Sequence, residues 1–321
     1  MQGPLLSVII IQWNQSGLLR DCLDSLFREA EGIDIETIVF DNGSTDGSPD
    51  MVERDYPSVR LIRNGENIGF AKGNNRAARH ARGKYLLLLN SDTVMQPRTV
   101  RGMAGFLEGK PKAAGCAPAL RLPDGRLQMG AFGYALSIPT LFNYFFFLSS
   151  LFPRMFRAVW QDQASFVRSG VPVEADWLCG ACLMVRRDAF EAAGGFDEGY
   201  HLYSEDMDLG DRLRASGGLY FIPSVEVIHL GGGSGTPGQL GWLTSLFRYI
   251  SSRHGAAYLA ACRAIAAAGF LARGVAYKAA GLFRPGYDEN ALRMFGYLGH
   301  CLGPVPSSGG EGVDAAGAGK P

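Results

Sequence analysis

The segment Leu5 to Ile11 constrains the fold more than any other stretch of the chain. It is apolar except for Ser7 and rich in β-branched residues. A strand with two apolar faces has to be covered on both sides, which a parallel sheet between helices achieves. A helical pattern follows, with Leu18, Leu19, Cys22, Leu23 and Leu26 on one face. Ile35 to Phe40, Val59 to Ile62 and Tyr85 to Leu89 read as three more strands, with helical patterns near Asn74 to Arg82 and Thr99 to Leu107. Strands alternating with helices predict an α/β fold, a doubly wound sheet whose ligand sits at the carboxyl ends of the strands. At 321 residues the chain exceeds one minimal core and suits a large α/β domain with an appendage.

The polar clusters fall at those strand ends. Asn14 follows the first strand, Asp41-Asn42-Gly43-Ser44-Thr45-Asp46-Gly47 the second, Arg63 to Phe70 the third and Asn90-Ser91-Asp92 the fourth. Asp41, directly after a buried strand, can accept hydrogen bonds from a base or ribose, while Gly43 lets the chain turn back. The same residues also suit an Asx turn with a helix cap. Asn67-Ile68-Gly69-Phe70-Ala71-Lys72-Gly73-Asn74 could likewise meet a nucleotide or merely start a helix. Asp92 is more pointed, because a strand-end carboxylate suits a hard divalent cation that itself holds a diphosphate.

The second half adds Gly194-Gly195-Phe196-Asp197-Glu198 and Tyr203-Ser204-Glu205-Asp206-Met207-Asp208-Leu209. Asp206 to Ala215 reads as a helix. Its dipole explains one or two acids in the first turn but does not require Glu205 and Asp206 together. A carboxylate presented there beside a nucleotide crevice is a candidate general base. His229 ends the strand Val225 to Ile228 just before Gly231-Gly232-Gly233-Ser234 and is a candidate metal or phosphate ligand. Cys179-Gly180-Ala181-Cys182 has no second pair and reads as a strand, so zinc or redox chemistry is not expected there.

Lys plus Arg and Asp plus Glu both total 31, so no global charge points to nucleic acid. Locally the balance differs: from Val227 to Tyr287 there is no acid, while Arg248, Arg253, Arg263, Arg273, Lys278 and Arg284 are present. Leu127 to Pro153 carries no charge, and Phe142 to Phe152 is densely aromatic and aliphatic. Its length would span a bilayer, yet a span would part the two sets of polar clusters, so an interfacial or pocket-lining segment is expected. Gly303 to Pro321 is expected to be a disordered tail. Six Cys make no disulfide framework, and Met1-Gln2-Gly3-Pro4 leads straight into a strand with no basic start or cleavage site, which predicts a cytoplasmic protein.

The series Val8 to Asn14, Asp41 to Ser48, Asn67 to Asn74, Asn90-Ser91-Asp92, Gly195-Phe196-Asp197-Glu198, Ser204 to Asp208 and His229 resembles inverting glycosyltransferases of family 2, especially bacterial rhamnosyltransferase-like members. The resemblance runs in order over residues 5 to 235. It implies a GT-A fold over 1–236, with a donor half of about 1–110 and an acceptor half of 111–236. A helical C-terminal region over 237–302 and the tail would follow. It also implies a nucleotide-diphosphate sugar, a divalent cation (Mg or Mn) and inversion at the anomeric carbon. By position Asp41 would hold the base or ribose, Asp92 the metal, Asp206 would be the base with Glu205 beside it, and His229 would be a metal or diphosphate contact. Asn14, Asn42, Gly43, Ser44, Asn67, Gly69, Phe70, Asn74 and Asn90 complete the expected donor set. One departure stands out: the family's Asp-x-Asp is Asn90-Ser91-Asp92 here, one negative charge fewer.

The chemistry is consistent with the residues. Inverting transfer needs a carboxylate to deprotonate the acceptor hydroxyl and positive charge for the departing diphosphate. Trp177, Gly180 and Asp197 are expected at the acceptor, since aromatic faces pack on sugar rings, although Trp177 equally suits a core. Thymidine-diphosphate-rhamnose, then uridine-diphosphate sugars, are the donors the resemblance suggests. A saccharide or polyprenyl-linked saccharide would be the acceptor in cell-surface polysaccharide synthesis, with peripheral contact on the inner face of the cytoplasmic membrane. The competing readings are a sugar-1-phosphate nucleotidyltransferase, which needs a basic glycine-rich loop where Trp13-Asn14-Gln15 stands, and a non-catalytic nucleotide-sugar-binding protein.

Overall fold

A computed structural model describes residues 3–200, 202–231, 240–282 and 286–304. The chain divides into two compact units, Met1–Gln239 and Leu240–Pro321. The expected boundary at 236/237, the glycine run 232–234 and all of the expected tail except Gly303 and Pro304 lie outside the described residues.

The first unit runs β1 (Leu6–Gln12), α1 (Ser16–Glu29), β2 (Ile35–Asn42), α2 (Ser48–Asp55), β3 (Arg60–Asn64), α3 (Phe70–Ala78), β4 (Tyr85–Asn90), β5 (Thr93–Met95), α4 (Thr99–Gly109) and β6 (Ala113–Arg121). It continues with β7 (Phe132–Gly133), α5 (Ile138–Phe145), α6 (Leu148–Leu151), α7 (Ala164–Ser169), β8 (Val173–Ala175), β9 (Trp177–Leu178), β10 (Cys182–Arg186), α8 (Arg187–Ala192), α9 (Glu205–Leu213) and β11 (Gly218–His229). The main sheet is ordered β3-β2-β1-β4-β10-β6-β11-β5, with β8 also on β11. β3, β2, β1 and β4 are parallel, as the double-faced apolar runs demand, and Val8, Ile9, Ile10 and Leu87 are fully buried. The strand order reverses between β1 and β4, which opens a crevice at their carboxyl ends. Beyond β4 the sheet turns mixed: β10 runs antiparallel to β4 and to β6.

Three elements differ from the sequence reading. The third helix starts at Phe70 and ends at Ala78, because Gly69, at φ 86, turns the chain into it directly after the third strand's loop. β11 is twelve residues long rather than four, since its register shifts between Ile222 and Glu226 and so accommodates Pro223. The CxxC is not one strand, as β9 ends at Leu178 and β10 begins at Cys182, and all six cysteines are free thiols. The uncharged segment 127–153 forms no long helix, because Phe147 adopts φ 63 between α5 and α6.

The second unit is helical: α10 (Gly241–Arg253), α11 (Ala256–Gly281) and α12 (Tyr287–Leu302). Trp242, Phe270 and Tyr297 form an aromatic cluster among them. Arg263 is part of that packing, donating to Cys301 O at 2.9 Å and lying 5.4 Å from the Phe247 ring. By length and composition α11 could cross a membrane; a third of its most apolar window is buried within the protein.

Candidate active site

On the β1–β2 side of the crevice three loops are tied together by polar side chains. Asn14, in left-handed backbone at φ 47, accepts from Thr45 N at 2.7 Å through Oδ1, while its own N–H donates to Ser44 Oγ at 3.0 Å. Asp41 is 3% exposed and accepts from Ser44 N. Asn42 donates to Asn67 Oδ1 at 2.8 Å and accepts from Ile68 N at 2.9 Å, and Asn67 also receives Gly69 N at 3.0 Å. Gly43 is obligatory here: its φ is 81, and a Cβ would stand 2.9 Å from Glu66 backbone atoms. Asp46, which the sequence reading passed over, accepts from Ser16 N and Ser48 N and so joins the first turns of α1 and α2. Asn74 is buried and donates back to Phe70 O, which makes it a residue of its own helix.

Past the fourth strand lies a second corner. Thr93 of β5 pairs with His229 of β11, and Leu230 N donates to Asp92 O at 2.8 Å, which sets the two side chains together. His229 Nε2 is 3.2 Å from Asp92 Oδ1 and 3.4 Å from Asn90 Nδ2. On the far side of the ring Nδ1 lies 2.8 Å from Gln128 Oε1, an oxygen that can only accept. Nδ1 therefore carries a proton, which leaves Nε2, facing the Asp92 carboxylate, as the atom that a proton or a cation can take. Two electron-rich atoms at that separation call for a proton or a shared cation between them. Among the described residues no group of three or more His, Cys, Asp or Glu could hold a metal, so a cation at this corner would find two protein ligands and take the rest from phosphate and water.

The third element is the carboxylate pair. Tyr203 and Ser204 both adopt left-handed backbone, at φ 69 and 64, and α9 begins immediately after them. Strain of this kind concentrates at functional sites. Asp206 Oδ1 accepts from Met207 N at 2.8 Å, and Gly180 N also donates to its carboxyl. Glu205 is 7% exposed, and its Oε2 is buried without a hydrogen-bond partner. Burial raises both carboxyls, Glu205 further than Asp206 because the Asp206 charge also bears on it. A Cβ on Gly180 would lie 3.6 Å from the Phe70 ring and 3.9 Å from Asp206 Cβ, so Gly180 is the thin partition between α3 and the pair. Burial pushes the Cys179 thiol up to about 12, helped by Asp206, Glu205 and Asp92. Two residues on, Ala181 O accepts from Asn90 N at 2.9 Å, which ties this turn to the strand end that carries Asp92.

Two expected acceptor residues lie elsewhere. Trp177 is 3% exposed, and its Nε1 donates to Val159 O at 2.8 Å, so neither ring face is offered to a sugar. It packs under α9, where a Cβ on Gly210 would stand 2.9 Å from Trp177 Cβ. Asp197 is exposed and accepts from Gly199 N, which shapes its own loop. That loop is held by residues missed from the sequence. Asn75 both donates to Phe196 O and accepts from Phe196 N, while Arg212, paired to Asp208, donates to Ala193 O and Gly195 O. The Asp208 and Arg212 spacing of four on one helix was a legible signal; Gln128 had none.

The parallel half-sheet with its strand-end crevice, joined to a mixed half that carries the carboxylates, is the GT-A glycosyltransferase fold. A mannosyltransferase from Pyrobaculum calidifontis, solved with GDP-Man and Mn2+, superposes over 94% of this chain and 87% of its own (TM-score 0.60, 18% identity). GalNAc-T7, solved with UDP, GalNAc and Mn2+, does so over 77% of this chain and 48% of its own (TM-score 0.58, 16% identity). Residues 7–154 match the family Glycosyl transferase family 2. The N-acetylglucosaminyl-diphospho-decaprenol L-rhamnosyltransferase of Mycobacterium tuberculosis is 33% identical over 239 residues, which are 70% of this chain and 76% of that protein. A rhamnosyltransferase of Escherichia coli (strain K12) is 24% identical over 237 residues, 69% of this chain and 82% of its own. The chain belongs to glycosyl transferase family 2 and is a glycosyltransferase.

Proposed function

We propose that this enzyme transfers a sugar, with inversion, from a nucleotide-diphosphate donor to a lipid-linked saccharide in polysaccharide synthesis. The observation that carries the reading is a convergence on one turn: Ala181 O accepts from Asn90 N at 2.9 Å, beside the Asp92 and His229 corner, while the adjoining Gly180 borders Asp206, where a Cβ would lie 3.9 Å from Asp206 Cβ. Asp41 and the Asn14, Asn42 and Asn67 loops would hold the nucleoside. Asp206 would take the proton from the acceptor hydroxyl as its oxygen attacks the anomeric carbon and the bond to the diphosphate breaks. Raised by burial, Asp206 keeps enough basicity to hold that proton. Glu205, raised further, would remain protonated and spare the pair a second charge. The Asp92 and His229 corner suits a divalent cation, Mg or Mn, which would neutralise charge on the leaving diphosphate.

Thymidine-diphosphate-rhamnose is the first donor to test and uridine-diphosphate sugars the next. A polyprenyl-diphosphate-linked saccharide, as in the name of the Mycobacterium tuberculosis relative, is the acceptor of choice. That acceptor places the enzyme on the cytoplasmic face of the membrane, in peripheral contact with it. The test is a screen of nucleotide sugars with a polyprenyl-diphosphate acceptor, with divalent metal or with chelator. Metal-dependent transfer from the rhamnose donor is the expected result. Transfer from a uridine-diphosphate sugar alone would reassign the donor, and full turnover in chelator would remove the cation.

A further inference from the structure

The uncharged segment resolves into a surface whose features the transfer site does not use. Between the end of α6 and α7 lies an open cavity of about 500 Å3 lined by Phe152, Arg154, Met155, Ser165, Arg168 and Ser169, with no acidic side chain among its walls. Arg154 and Arg168 are exposed and form no ion pair among the described residues, so both guanidinium groups are available to an anion in this cavity. Ser165 Oγ, on the same cavity, is buried with no hydrogen-bond partner. Two free guanidinium groups and an unused hydroxyl around one hollow make an anion site, and guanidinium forks match phosphate oxygens.

The rim says where that anion comes from. Phe152 and Met155, which line the cavity, are 54% and 75% exposed, and on α5 and α6, which lead into it, Phe142, Phe147 and Leu151 are 42%, 42% and 68% exposed. Phe142 stacks on Phe146 with centroids 4.4 Å apart, which gives α5 an aromatic outer face. Large apolar side chains exposed on a basic hollow and on the helices that lead into it are poor in water and well suited to the boundary between headgroups and acyl chains. A soluble anion would need the arginines but not the rim.

We propose that this cavity seats the phosphate of an anionic phospholipid headgroup, so that α5, α6 and the 151–155 turn form the membrane-facing surface of the enzyme. The inference rests on the reading of peripheral membrane contact and specifies the residues that make it. It moves the basic contribution away from Arg263, which is committed to packing its own helices.

Sedimentation of the full chain with vesicles tests it. Wild type should bind phosphatidylglycerol-containing vesicles and bind pure phosphatidylcholine at least tenfold more weakly. Arg154→Gln with Arg168→Gln should lower binding about 25-fold, near fivefold for each arginine at an anionic surface. Phe152→Ser with Met155→Ser should weaken binding to every vesicle. Arg28→Gln with Arg60→Gln, which removes the same charge from α1 and from the opposite edge of the sheet, should leave binding within twofold. Equal loss in the two arginine pairs would overturn the cavity while leaving membrane contact standing. A wild type that transfers sugar yet stays in solution would overturn both membrane readings and leave the transfer site intact. Calorimetry with inorganic phosphate separates the sources: binding at micromolar phosphate, unaffected by Phe152→Ser and Met155→Ser, would make this a site for a soluble anion and overturn the headgroup assignment.

Discussion

Replacing Asp206 by Asn should separate catalysis from stability and move them in opposite directions. Asp206 Oδ1 accepts from Met207 N, and the carboxyl also receives Gly180 N. An amide oxygen can accept as the carboxylate does, so the start of α9 and the donor loops should hold. What is lost is the base, which is worth two to four orders of magnitude in rate, or about 3 to 5 kcal/mol of barrier. Stability should rise near neutral pH. Burial raises the Asp206 and Glu205 carboxyls, so the folded protein binds their protons more tightly than the unfolded chain does. Such a group costs nothing below the unfolded carboxylate pKa. The cost grows as pH climbs from that value to the raised folded one and stays constant above it. Asn removes the buried charge that Asp206 carries, so a gain of roughly 1 to 2 kcal/mol is expected at pH 8, fading to nothing near pH 4. Glu205→Gln should show the same pH-dependent gain, while its transfer rate falls far less. Transfer by wild type should carry an acid limb set by the raised Asp206 rather than by an ordinary carboxyl. Thermal unfolding from pH 4 to 9, beside steady-state transfer, reads all of this. An Asp206→Asn enzyme within tenfold of wild type, or one equally stabilised at pH 4 and pH 8, would refute the reasoning.

Two further outcomes follow from the geometry. Asp92→Ala and His229→Ala should each weaken nucleoside diphosphate binding in the presence of Mn or Mg by about 10- to 100-fold, with little change in chelator, and calorimetry of the diphosphate with and without metal checks it. Arg212→Met should free the loop at Ala193 and Gly195 and take from buried Asp208 its ion pair, lowering stability by about 3 kcal/mol and transfer with it, as denaturant unfolding and donor turnover would show.

Local order was legible in the sequence because its causes are short-range. The period of apolar residues determined β1, β2 and β4, and the strand-end position of Asp41, Asn67 and Asp92 determined that polar groups would gather at one crevice. Turn chemistry at Gly43 and the paired acids at the start of α9 acted within a few residues of themselves. What only the tertiary structure decided are meetings of distant residues. Whether Asp92 faces His229 depends on β5 pairing antiparallel with β11, and the tautomer of His229 depends on Gln128, 101 residues away. Trp177 reads equally as a sugar platform or as core until α9 lies across it with Gly210 at the crossing. Asn75, in the third helix, clamps a loop 121 residues further on. The uncharged run from Leu127 to Pro153 had the composition of a spanning helix, yet a left-handed Phe147 broke it and left Leu151, Phe152 and Met155 outside. Hydrophobicity and backbone preference act along the chain and can be read from neighbours; a hydrogen bond or a buried face exists only once a second segment supplies its other half.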